Sequence, residues 1–359
     1  MKLSTKVSAL LLVSSMAFST SSNAQEEIGK LIAGSPEDAT ALTKAYLNPF
    51  FKGVGLGLNS GWTNTGSVKQ LGKFEFRAGV TGAIIPGKDK SFDVSTLGLK
   101  RLRPADPNKV MAPTIAGEEM QGPTMIVLNE NGQPLKNGTQ NVTINLPQGI
   151  NPTQSAIPAP QLQASIGLVK GFEATVRYLP PIAPPDFGEF SMIGGGIKFQ
   201  PLRFASKKVN KLVPFDLAVA LGWSQFKYSY DLEVKDRFGN APDDQRIEAK
   251  FSGINAEAIL SKKFLLFVPF VAVGYQTSTT DAGIKGTYEY ASGYTGTSTA
   301  GVVSYSTVKD PVSINEKYIN NFKASAGLTV NLLLFRVYGS YTLGAYNYVN
   351  LGLGLGFGK

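Results

Sequence analysis

Residues 321–359 read NFKASAGLTVNLLLFRVYGSYTLGAYNYVNLGLGLGFGK, and this stretch decides the fold. It contains three alternating runs. In the first, Phe322, Ala324, Ala326, Leu328, Val330 and Leu332 share one face, opposite Lys323, Ser325, Gly327, Thr329 and Asn331. In the second, Phe335, Val337, Gly339, Tyr341 and Leu343 oppose Arg336, Tyr338, Ser340 and Thr342. In the third, Val349, Leu351, Leu353, Leu355 and Phe357 oppose Asn350, Gly352, Gly354, Gly356 and Gly358. Side chains on a strand alternate faces with period two. Three such runs with almost no connection between them form an antiparallel meander. Their length matches the roughly 9–11 residues that a tilted strand needs to cross a bilayer.

The start of the chain agrees with export. Lys2 and Lys6 precede a short apolar region from Val7 to Phe18, and Ser22-Asn23-Ala24 supplies small residues for cleavage. This is the pattern of a signal peptide over 1–24, cleaved near Ala24. No later stretch approaches the run of about 18 apolar residues that marks a transmembrane helix. The formal charge of +9 is spread along the chain without a basic block, so an exported chain of this kind has no nucleic-acid partner. With no cysteine, the fold cannot depend on disulfides.

Residues 25–52 carry the one helical signal. Ser35-Pro36-Glu37-Asp38 reads as an N-cap, a first-turn proline and first-turn acids, with Ala39, Leu42, Ala45 and Tyr46 at helical spacing. Asn48-Pro49 is expected to end that helix. The barrel then occupies 53–359. Twelve spans are expected: 53–62, 71–84, 91–99, 162–169, 172–180, 188–199, 213–229, 247–261, 264–278, 322–333, 335–344 and 346–357. A strand pair hidden in 279–320 would make fourteen. With both ends periplasmic, short turns fall on the periplasmic side. The long segments, about 100–160, 230–246 and 279–320, fall outside, the sorting expected of bacterial barrels. The fold class is therefore all-β: a transmembrane antiparallel up-and-down β-barrel of 12–14 strands whose short N-terminal helix plugs the lumen. Its place is the cell outer membrane.

The chain has no histidine and no cysteine, which removes Ser-His-Asp and Cys nucleophile chemistry and His-based metal sites. No tight acidic cluster suggests a carboxylate pair. We therefore expect no enzyme, no catalytic residue, no metal and no cofactor. The inward faces carry Glu75, Arg77, Glu173, Arg177, Glu257 and Arg336. These candidates read more simply as an ion-pair network filling a polar interior than as a ligand site. Gly53, Gly55 and Gly57 share the inner face of the first expected strand, and Gly352, Gly354 and Gly356 that of the last. Glycine within a strand marks close approach of another backbone. The helix is thus expected to enter from the periplasmic side and pack on this seam.

Pro36-Glu37-Asp38-Ala39, Tyr46-Leu47-Asn48-Pro49, GVGLGLNSGW at 53–62 and SIGLVKGFEATVRYLPP at 165–181 resemble a family of Gram-negative outer-membrane proteins known as a domain of unknown function. More distantly, a helical N-terminus before a barrel is similar to the long-chain fatty-acid transporter superfamily. That resemblance implies a plugged lumen and hydrophobic ligands leaving through the wall. The signature of the true transporters is missing, so no ligand residue carries over. The chain also departs from the usual barrel-assembly signal, because Phe357 is followed by Gly358-Lys359. The functional expectation is a monomeric barrel that binds or passes a small hydrophobic molecule. Its partners are outer-membrane lipid and the outer-membrane insertion machinery. The alternatives are a scaffold presenting extracellular loops to a partner and, more weakly, a soluble secreted β-sandwich that binds a ligand.

Overall fold

The computed structural model describes residues 36–150, 156–169, 171–184, 188–204, 213–295 and 302–357. The signal peptide, its cleavage site and the Ser35 cap lie outside the described residues. Ten strands close into one antiparallel barrel. They are β1 (Phe74–Ile84), β2 (Ala156–Gly167), β3 (Phe172–Ile182), β4 (Glu189–Phe199), β5 (Asp216–Asp231), β6 (Arg246–Ser261), β7 (Phe267–Lys285), β8 (Val312–Leu332), β9 (Phe335–Leu343) and β10 (Tyr348–Phe357). Each strand pairs with its sequence neighbours, and β1 closes on β10 from Phe74↔Phe357 to Ala83↔Tyr348. Val176, Ile193, Leu221, Val273 and Leu353 point outward, each more than half exposed. An apolar outer face around a closed sheet leaves no backbone group unpaired in lipid. This is the architecture of an outer-membrane β-barrel, and the expected fold class stands.

The strand number is ten rather than twelve to fourteen, and two spans account for the difference. Residues 91–99 form a three-residue strand and a 3-10 turn above the barrel. Residues 53–59 belong to the helix. That helix, α1 (Pro36–Asn59), passes through Pro49 and continues to Asn59, beyond the expected boundary at residue 52. The period-two glycines mislead for a physical reason. Positions i and i+2 lie on nearly opposite sides of a helix, about 200° apart. Gly53 and Gly57 face Ile157 and Ala159 of β2, while Gly55 faces Ser278 of β7 and Ile319 of β8. A helix squeezed between two walls of a narrow lumen needs small residues on both sides. Loss of two strands keeps the parity even, so the long loops still gather at one end.

Residues 60–73 descend from the helix to the short-turn end, where Gly66 N–H donates to Ser261 Oγ at 2.8 Å and Gly72 N–H to Gly167 O at 3.0 Å. The helix itself starts at the long-loop end. There the Asp38 carboxylate accepts from the backbone N–H groups of Lys100 and Arg101 at 2.7 and 2.8 Å. The described helix therefore runs from the long-loop end toward the short-turn end, the reverse of the expected direction. Above the barrel, the first long loop folds into short sheets, including 102–104, 124–127 and 143–145. Their core joins Leu102, Met125, Val127, Leu135 and Leu146 to Leu42 and Tyr46 of α1. Ala291 and Val303 add to it from a hairpin, Thr287–Thr295 with Val302–Lys309, which stands outside the barrel sheet. One helix thus ties this cap to the lumen.

A Cβ on Gly57 would stand 2.1 Å from the Ala159 Cβ. Gly57→Leu should therefore unseat the lower half of α1, lowering unfolding stability in lipid vesicles by about 1–3 kcal/mol as overpacking does. Urea titration followed by loss of heat-modifiable migration measures it.

Candidate functional site

The lumen is filled by α1 and the 60–73 segment, and charged strand residues hold both. A helix leaves its last carbonyls without intrahelical donors. Here Arg177 of β3 donates to Leu58 O at 2.9 Å and Ser60 O at 2.6 Å, and Lys323 of β8 donates to Asn59 O at 3.2 Å. In the ring order these two strands stand five places apart, on opposite sides of the barrel. Cations at a helix C-terminus also meet the negative end of its dipole. The Arg177 guanidinium lies 3.8 Å from the Trp62 ring centroid and also donates to Gln163 Oε1 at 3.0 Å. Gly196 and Gly222 leave room for that indole, whose position a Cβ would invade at 2.7 and 2.4 Å.

The other expected lumen charges fall into two groups. Glu257 pairs with Lys323 at 2.8 Å and accepts from Thr63, while Arg77 donates to Trp62 O at 2.9 Å. Nearer the short-turn end, Glu75 pairs with Lys69 at 2.9 Å and Arg336 at 2.7 Å. Glu173 there pairs with Lys69 at 3.1 Å and Lys198 at 3.2 Å. All six candidates thus reach the plug segment or one another, and the structure brings none of them to an open channel. Lys69, Lys198 and Lys323 complete the network. Lys323 is visible in the sequence as the cation on the inward face of its strand, whereas Lys69 sits in a segment with no periodic signal.

The C-terminal glycines do not pack on the helix as expected. Gly352 lies under the Tyr338 hydroxyl, Gly354 beside Glu75 and Gly356 under the Arg336 guanidinium. In the β1–β10 register Glu75 faces Gly356, Arg77 faces Gly354 and Gly79 faces Gly352. This row makes room for long lumen side chains, and the helix finds its close approach through its own glycines.

The wall has one asymmetry. β8 pairs with β7 along almost its whole length but with β9 only over Ala324–Leu332, because β9 stops at Leu343. Along Val312–Lys323 no described strand lies on that edge. α1 backs it instead. Thr40 Oγ1 accepts from Ser313 N–H and donates to Pro311 O, both at 3.4 Å, and Lys44 pairs with Glu316. Just above the 344–347 turn, Asp89 accepts from Tyr346 Oη at 2.5 Å and Lys52 Nζ at 3.1 Å. Burial pushes the Asp89 carboxyl up, but these two bonds outweigh it and hold its pKa below the ordinary value.

At the foot of the unpaired edge the wall opens into a notch of about 790 Å³. Val273, Tyr275, Phe322, Ala324 and Leu343 form its apolar sides, and Asn321 and Gly344 lie at its inner end. Phe322 is 79% exposed, and its ring meets Tyr275 edge-on at 5.2 Å. Polar groups cluster at the lip, where Tyr275 Oη donates to Asn320 Oδ1 at 2.5 Å and Gln276 Nε2 to Asn321 Oδ1 at 3.5 Å. Inside the wall, by contrast, the free space beside Glu257 and Lys323 is about 20 Å³.

The chain matches the Family of unknown function (DUF6588) over residues 1–357. It belongs to that family. No curated protein matches it. Among solved structures, the outer membrane protease OmpT from Escherichia coli is similar at 10% identity, covering 79% of this chain and 97% of its own, with a TM-score of 0.30. The attachment invasion locus protein Ail of Yersinia pestis is similar at 8% identity, with 80% and 100% covered and a TM-score of 0.25. Neisserial surface protein A is similar at 8% identity, with 79% and 95% covered and a TM-score of 0.22. The family match agrees with the resemblance read from the sequence. These three barrels do not single out the fatty-acid transporters.

Removing one member of a buried ion pair strands its partner's charge, at a cost of about 3–5 kcal/mol. Lys323→Met should therefore destabilise this DUF6588 barrel by that order in urea unfolding from vesicles. Adding Glu257→Gln should restore much of the loss, because it removes the stranded carboxylate.

Proposed function

We propose that this barrel binds a small hydrophobic molecule at its wall and does not conduct solutes through its lumen. The observation that carries the reading is the contrast between the two spaces. The lumen is packed around a helix whose end is held from opposite strands. The wall carries an open apolar notch about 790 Å³ in volume. Binding sites for small molecules are concave and mostly apolar, with a few placed polar groups. The notch has that composition, with Asn321 and Lys323 on its inner side, Tyr275 at its edge and aromatic and aliphatic side chains along it. Its position on the lipid-facing side gives an apolar ligand a route from the bilayer. The reading is non-enzymatic, because a chain without histidine or cysteine lacks the usual nucleophile and base pairs.

The cap favours a second reading, presentation of a folded surface to a partner. Its core is continuous with α1, and Arg237 lies between the rings of Phe238 and Tyr305, 4.7 Å from each centroid. Phe238 is 71% exposed. An outward aromatic of this kind suits recognition as well as it suits stability.

Titration of a fluorescent acyl-chain probe into vesicles containing the protein decides between them. Saturable binding that falls at least tenfold in Ala324→Trp, with folding and unfolding midpoint retained, is the expected result. Probe partitioning indistinguishable from empty vesicles would reject ligand binding at the notch. In planar bilayers the wild-type protein should show no steady open conductance, and a stable ohmic channel would reject the sealed lumen.

A further inference from the structure

Two hairpins at the short-turn end carry leucine where the backbone favours glycine. In the β6–β7 loop, Phe264 bridges Phe267 around Leu265 and Leu266. In the β8–β9 loop, Leu332 pairs with Phe335 around Leu333 and Leu334. Leu265 and Leu333 have φ of 53° and 54°, and the residue after each has no positive φ. A two-residue loop with positive φ at its first central position is the turn that takes glycine there. A bulky side chain in that conformation is strained, and such strain persists where it serves something. Both leucines point away from the barrel, 86% and 93% exposed.

Their surroundings say what covers them. The residues flanking the tips, Phe267 and Phe335, are 51% and 60% exposed and begin the lipid-facing rows of β7 and β9. The apolar band therefore runs down β7 and β9 to the turn tips, and on the β6 side Lys262 and Lys263 stand beside it. Leu71 and Phe204, both exposed, extend the same character around this end. Lys262 lies beside it, its ammonium 5.6 Å from the Phe215 ring and 5.0 Å from the Phe264 ring, with Lys263 next in sequence. Lysines that lay their stems along apolar groups and keep the charge at the boundary suit an interface of acyl chains and phosphate headgroups.

We infer that the short-turn end of the barrel is seated in the membrane leaflet on that side. Leu265 and Leu333 insert among the lipids at the acyl-chain boundary, and Lys262 and Lys263 meet anionic headgroups. The partner is the lipid surface itself. Two observations lead to it independently: a backbone strained to present leucine twice, and an apolar band continuous with both tips. The inference does not rest on the wall notch.

The cysteine-free chain makes the test direct. Leu265→Cys and Leu333→Cys, each labelled with a nitroxide, are reconstituted in vesicles of phosphatidylethanolamine and phosphatidylglycerol. Heat-modifiable migration checks that each has folded. Asn240→Cys, in an exposed loop of the opposite end, serves as the aqueous reference. Collisions with dissolved oxygen should exceed those with a water-soluble nickel chelate severalfold at both tips, with the reverse at position 240. Tips as open to the chelate as position 240 would overturn the inference, and a surface that docks on a protein would give that result in lipid-only vesicles. Leu266→Cys and Leu334→Cys, which avoid the left-handed positions, give the same reading if a tip variant fails to fold.

Discussion

The end of one helix inside a closed wall sets the terms for the rest of this molecule. The last carbonyls of α1 point into a lumen from which bulk water is excluded, and a buried polar group without a partner costs free energy. Strands on opposite sides supply the donors, Arg177 from β3 and Lys323 from β8. Those cations in turn need compensation. Lys323 finds it in Glu257, and Arg177 lies over the Trp62 ring while three carbonyl oxygens accept its protons. The network thus follows from placing a helix terminus where no solvent can reach it. It also makes the plug part of the barrel's structure, because withdrawing the helix would strand several charges at once.

The same constraint explains the glycines. A helix with side chains needs about 10 Å of width. A ten-strand barrel gives that only where helix and wall approach closely. Gly53, Gly55 and Gly57 thin the helix on both sides, and Gly196 and Gly222 thin the wall around Trp62. Gly352, Gly354 and Gly356 do the equivalent for Tyr338, Glu75 and Arg336. One residue type solves three separate problems of width, and its spacing alone does not say which.

This is why the barrel is legible in the sequence and its contents less so. Alternation over 322–357 is a direct image of a sheet with lipid on one side and a polar interior on the other, and it reports β9, β10 and the apolar-faced part of β8, whose first residues, Val312 to Asn320, fall in the segment expected as loop. The inward charges are visible for the same reason. GVGLGL at 53–58 alternates as well, but the alternation arises from a helix confined between two walls, and a period-two rule reads it as strand. Pro49 reinforces the error by suggesting a helix end, yet it is buried in the plug, where packing outweighs the loss of one hydrogen bond. The pairing of Lys69 with Glu75 and Glu173 joins a segment without periodicity to two strands, and only the closed fold brings them together.

The wall notch lies where β9 ends short of β8. β9 stops at Leu343 and β10 starts at Tyr348, so the outer part of β8 lacks a strand beside it. The outward residues along that edge, Ser313, Asn315, Lys317 and Asn320, are polar and exposed, so it stands beyond the apolar band, and α1 backs it from inside, with Thr40 on the 311–313 backbone and Lys44 on Glu316. The helix therefore fills the lumen and backs the wall at the same time. Where that backing ends, at Asn321 to Ala324, the surface is concave and still faces the bilayer. A barrel closed by strands alone would have no such place. The helix that fills the lumen thus also backs the strand edge just above the concavity.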